Sequence, residues 1–261
     1  MLPYFLKLEA KKHVLILGFF ILLQFILSLL VLSNYSQYSG IYLQITSISW
    51  ILITIYVFID LYNSFYRGKD VLFHMVPIKT SKKFFIKVVV FSISFMLLWS
   101  TCLIFEFISP SGIYAMRIAK SSNPTMGVIY FILARFLSCI SGIIILGLAI
   151  LLGKLFKNKF VSAAIIFLTL FLITFGLYQI MKLNLMPANN IYFSIGTNLQ
   201  TSFKEYAGIV SLLVGADNRT IPDIATTIYW NNVIANICVA IIGGFIVAKL
   251  TDSKRYEING K

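Results

Sequence analysis

Six stretches of this chain are predominantly apolar: residues 14–33, 41–61, 88–108, 127–153, 161–181 and 229–250. A helix that crosses hydrocarbon needs about 17–25 apolar residues at about 1.5 Å each. Each stretch meets that length, and the fourth exceeds it, which puts its outer end among the headgroups. The runs are continuous, without the in–out alternation of lipid-facing strands, so a barrel is excluded. The pattern predicts an all-α membrane protein of six transmembrane helices, with residues 1–261 as a single transmembrane domain.

Two of the connections carry structure of their own. Residues 71–76 form a short apolar segment, preceded by Asp70 and closed by Pro77. An aspartate is a good N-cap and a proline a good stop, so the spacing predicts a short helix at the membrane surface. In the long connection from 182 to 228, residues 206–214 are too few to span and predict a re-entrant or interfacial helix. Thr220, with Pro222 and Asp223 behind it, predicts the start of another helix running on into the sixth span. This is a helical elaboration between the fifth and sixth spans.

Composition sharpens the picture. The chain is 59% hydrophobic and 12% charged, with a mean hydropathy of +0.89; a soluble domain carries about 25% charged residues. Basic residues outnumber acidic ones by 22 to 9. The excess alternates from connection to connection. Lys7, Lys11 and Lys12, then Arg67, Lys69, Lys79, Lys82, Lys83 and Lys87, then Lys154, Lys157 and Lys159, and finally Lys249, Lys254, Arg255 and Lys261 all fall on one side. Arg117, Lys120, Lys182, Lys204 and Arg219 fall on the other. Lysine and arginine accumulate on the cytoplasmic face, so both termini are expected there and the basic excess points to the bilayer, with no nucleic acid. Cys102, Cys139 and Cys238 lie inside apolar runs, where a thiol behaves as a small hydrophobe.

Catalytic signatures are missing. His13 and His74 are the only histidines, and no His-Glu-x-x-His, Cys-x-x-Cys or Gly-x-Ser-x-Gly occurs. No pair of acids at helical spacing inside a span suggests ionisable groups converging in the bilayer. No metal site is expected, and the chain reads as a non-enzyme. A phosphate loop is also missing, because none of Gly68-Lys69, Gly153-Lys154 or Gly260-Lys261 is followed by Ser or Thr. Any ATP must be bound by another polypeptide.

The connection between the second and third spans holds Gly68, Asp70, Val71, Leu72, Phe73, His74, Met75, Val76, Pro77, Ile78, Thr80 and, at the foot of the third span, Lys87. This order resembles the corresponding segment of the type-2 ABC transporter permeases, Gly-x-Glu-x-Leu-Leu-x-x-x-Pro-Ile/Val-Ser/Thr followed by a lysine. Aspartate replaces glutamate here, and Lys79 intrudes before Thr80. Residues 5–12 look like the amphipathic N-terminal elbow helix of that family. The resemblance implies a permease that pairs with a second copy or a similar chain and with separate ATP-binding cassette ATPase subunits. Those subunits would bind ATP and Mg, with no cofactor on this chain. It also implies that residues 70–76 are the coupling helix that docks on the ATPase, with Leu72, Phe73 and Met75 as its knobs and Gly68, Pro77, Thr80 and Lys87 as the rest of the motif.

Two further constellations lie within the spans. Glu106 and Arg135 each stand 18 residues above the inner end of their run, about 27 Å up. Either they pair at the outer rim, or each reaches the headgroups separately. Arg135, Ser138 and Gly142 fall on one helical face, and Asn232 and Asn236 on another. Such faces either pack helix against helix or line a translocation path or dimer face. The expectation from all this is a permease of an ATP-driven exporter in a bacterial cell membrane. An amphipathic or hydrophobic cargo is expected, with an antimicrobial or toxic peptide preferred, for secretion or self-protection. An ion-coupled secondary transporter and an integral membrane enzyme are the alternatives.

Overall fold

The computed structural model describes residues 2–33, 35–66, 70–108, 124–182, 191–194, 202–204, 225–228 and 230–253. Its long helices are α1 (Leu2–Ser33), α2 (Tyr35–Phe65), α4 (Thr80–Ile108), α5 (Pro124–Lys154) and α6 (Lys159–Lys182), with the short α3 (Val71–Met75) between α2 and α4. The last long helix is composite: α7 (Trp230–Cys238), a π turn (Val239–Gly243) and α8 (Gly244–Thr251). Among the described residues six helices are long and apolar enough to cross a membrane, and each overlaps one of the six apolar runs.

Local chemistry explains the ends of these helices. Pro124 opens α5, where its missing N–H costs nothing. Asp70 caps α3 by accepting a hydrogen bond from the Phe73 backbone N–H at 3.3 Å. The cap at its other end, Val76, has extended φ and ψ of −81° and 126°, the conformation that the ring of a following proline imposes.

Residues 5–12 are the first turns of α1, which runs unbroken from Leu2 to Ser33, since nothing between Lys12 and Val14 stops a helix. The second helix extends back beyond its apolar run to Tyr35. The outer connection before the last helix contains strands where a helical elaboration was expected. In it β1 (Ile191–Ser194) pairs antiparallel with β3 (Ala225–Ile228), and β2 (Ser202–Lys204) pairs parallel with β3. The β-branched and aromatic runs Ile-Tyr-Phe and Thr-Thr-Ile favour extended backbone. Residues 225–228 are strand and the last helix starts at Trp230, while Thr220 and 206–214 lie outside the described residues.

The core forms where α1 packs along α4, and where α4 and α5 face each other. Phe84, Phe91, Phe95, Trp99, Ile143 and Ile150 are fully or almost fully buried there. Helix α5 is the most enclosed of the six, and α6, with Phe167 and Phe171 exposed, the least. Asp252, just past α8, reaches the start of α4, accepting from the Ser81 N–H at 3.2 Å and the Ser81 hydroxyl at 2.8 Å. A carboxylate at a helix N-terminus satisfies open donors and complements the dipole.

Candidate functional site: a buried ionic cluster

Helix α1 begins, α2 ends and α4 begins at one end of the bundle, and α3 closes it off. Four elements therefore deliver charged side chains to one place. From α1 come Glu9, Lys12 and His13; from α2, Tyr56, Asp60 and Ser64; from the α3 cap, Asp70; and from α4, Lys83 and Lys87. Glu9, His13 and Lys87 have no solvent exposure at all.

Lys87 is the hub. Its Nζ donates to Glu9 Oε1, to Asp60 Oδ2 at 2.6 Å and to Asp70 Oδ2 at 3.1 Å. An ammonium has three N–H donors, and each meets a carboxylate from a different element. Lys12, partly exposed, adds a second cation: it donates to Asp60 Oδ1 at 2.7 Å and Asp70 Oδ2 at 2.8 Å. The Ser64 hydroxyl lies 2.8 Å from Asp70 Oδ2 and equally close to the Asp60 carbonyl. His13 fills the gap between α1 and α2, with Nε2 2.9 Å from Glu9 Oε1 and Nδ1 2.6 Å from the Tyr56 hydroxyl. Burial opposes ionisation of Asp70, but the adjacent Lys87 charge and the hydrogen bonds from Lys12 and Ser64 outweigh it. Its carboxyl is held well below the ordinary range.

The short helix α3 is clamped from both sides. The Phe73 ring is 2% exposed and packs edge-on against Phe65, centroids 5.0 Å apart. Lys83 donates to the Phe73 carbonyl while its ammonium stands 5.2 Å from the Phe73 ring centroid. One residue expected to face a partner thus faces inward, because apolar rings of α2 and α4 offer it a dry seat. Met75 is 77% exposed, and His74 and Pro77 are also exposed. Val76 and Thr80 are half-buried. Gly68 and the side chains of Val71 and Leu72 lie outside the described residues.

Glu9, His13 and Asp60 each bring a potential metal-ligand atom to within 4.8 Å of the others. The set does not fit a metal, because the Lys87 ammonium already bonds both carboxylates and holds the cationic position. Glu9 Oε2 alone among the cluster's buried side-chain oxygens and nitrogens has no partner.

The intramembrane polar faces resolve into packing. Ser138, Gly142 and Asn236 are buried within the subunit. Asn236 Nδ2 donates to Ser138 Oγ at 3.1 Å, and the Ser141 hydroxyl donates to Asn236 Oδ1. Ser138 and Asn236 therefore meet each other within one subunit. These amides and hydroxyls satisfy one another across α5 and α7, as they must where no water is at hand. The side chains of Asn232, Glu106 and Arg135 lie outside the described residues.

The cluster was not read from the sequence, although Glu9 and His13 stand four apart on one helical face, a signal that could have pointed to it. The rest needed the fold, because the acids sit on α1, α2 and α3 and their main cation on α4. Compared with protein-family models, with curated proteins and with solved structures, the chain matches none.

Proposed function

We propose that this chain is the membrane-spanning permease subunit of an ATP-driven exporter. The observation that carries the reading is the bond between Asp70 and Lys87. These are the acid before the short helix and the lysine at the foot of the next span, two positions that the type-2 ABC permease pattern singles out. Here they are partners. Six long apolar helices and a capped helix between the second and third of them fit the same reading.

In this reading the basic end of the bundle is cytoplasmic, with both termini there, in a bacterial cell membrane. Helix α3 presents Met75 and His74 to a separate ATPase subunit, which binds ATP and Mg. Phe73 and Asp70 fasten the helix to the bundle from within, so a push on α3 is delivered to α1, α2 and α4 together. A second permease copy or a similar chain completes the assembly. The cargo is amphipathic, with a peptide preferred, since apolar helices offer little to a strongly hydrated solute.

An ion-coupled secondary transporter gains one observation, the buried ionisable cluster. Each of its acids is paired with a lysine at the end of the bundle, whereas a coupling site belongs near the middle of the membrane between repeated halves. The test is purification of the tagged chain from its native membrane. The expected result is an accompanying subunit with a phosphate loop, and ATP hydrolysis that appears only with that subunit. ATP hydrolysis by the chain alone, or ion-driven uptake by it in sealed vesicles, overturns the reading.

A further inference from the structure

Away from the cluster, a wholly apolar cavity of about 360 Å³ lies between α5, α6 and the composite last helix. Its outer wall is a row at four-residue spacing, Ile234, Cys238, Ile242 and Ile246. In an uninterrupted α-helix, steps of four residues drift about 40° around the axis each time, and the row would wind away from its neighbours. The π turn at Val239–Gly243 falls within the row. Its wider turn takes one residue more and rotates the second half back, so that all four side chains stay on the cavity.

The row is about 18 Å long at 1.5 Å per residue, so the groove is elongated and suits an extended methylene chain laid along it, whose carbons would meet the apolar wall at about 4 Å. A peptide does not fit, because its backbone N–H and C=O groups would find no partner in a wall without polar groups. The floor, Ile145 and Ala235, is buried, while Ile234, Cys238 and Ile242 on the rim are exposed. The slot therefore opens sideways, where a chain of six such spans meets lipid. We infer that this groove is a binding site for one acyl chain of a bilayer phospholipid, held lengthwise between the fifth and last spans and kept straight by the π turn. The inference is independent of the exporter reading.

The test uses the full-length protein in detergent micelles and phosphatidylcholine spin-labelled near the end of one acyl chain. The wild type is expected to show an immobilised spectral component that saturates and is displaced by unlabelled phosphatidylcholine. Ala235→Phe fills the floor and Cys238→Trp blocks the rim; each is expected to weaken retention roughly tenfold or more. Ile241→Trp, which alters an exposed residue outside the groove, leaves retention unchanged. Cys238 is exposed, so its variant keeps the test open if the Ala235 variant misfolds. No immobilised component in the wild type, or an equal one in Cys238→Trp, overturns the inference. So does a wild-type dimer that Cys238→Trp splits while lipid retention stays the same, since a second copy would then cover the groove.

Discussion

Phe84 on α4 rests its ring directly on the backbone of Gly147 on α5: a Cβ at position 147 would stand 2.6 Å from Phe84 Cζ. The ring has no solvent exposure and packs against Phe65 at 5.5 Å on its other side. It has nowhere to retreat. Gly147→Ala is therefore expected to destabilise the protein by about 1–3 kcal/mol through overpacking, read as a lower midpoint of thermal unfolding in detergent. Adding Phe84→Leu should recover part of the loss, and a Gly147→Ala protein as stable as wild type would contradict the contact.

Removing the hub lysine leaves carboxylates buried without their cation. Lys87→Met is expected to cost about 3–5 kcal/mol, the usual penalty for breaking a buried ion pair from one side. Neutralising the acids as well, with Glu9→Gln and Asp60→Asn, should restore much of it. Thermal unfolding of the single and combined variants measures this, and strictly additive losses would show that the three groups do not act as a unit.

Asp70 ties stability to pH with a definite sign. Its folded carboxyl titrates below the unfolded value of about 3.9, so its contribution is complete above that value and fades as pH falls through the lowered one. The difference in unfolding midpoint between wild type and Asp70→Asn should thus be constant from pH 8 to 5 and shrink in stronger acid. A difference that peaks in acid would contradict the arrangement.

The two sides of α3 should behave differently. Phe73→Ala is expected to destabilise by about 3–5 kcal/mol, as large buried rings do. Met75→Ala, at an exposed position, should stay within about 0.5 kcal/mol and, if the proposed permease role holds, weaken capture of the ATPase subunit instead. Equal effects on stability would mean that Phe73 is not seated as described.

The long helices were legible because hydrocarbon-crossing length is written directly in residue count, and α3 because Asp70 and Pro77 mark its ends. The direction of Phe73 was not, since in a five-residue helix nothing in the pattern says which apolar side chain meets the bundle. Asp60 was hidden at the end of an apolar run, Lys12 read as an ordinary member of a basic flank, and Lys87 was named in the motif with no partner assigned to it. Their meaning depends on α1 lying along α4, a relation across more than seventy residues that periodicity cannot encode. The strands before the last helix were missed because proline and aspartate signals outweighed the β-branched runs around them.

Glu9 and Lys87 are also separated in time. They stand 78 residues apart in the chain, and at about 5–20 residues per second of synthesis the lysine is made roughly 4–16 s after the glutamate. Through that interval the first helix carries a carboxylate whose main counter-charge does not yet exist, so its beginning has reason to linger in water rather than settle. Arrival of the fourth helix removes the reason. The ionic cluster thus joins the first-made helix to one made 78 residues later, and its bonds close only once both are present.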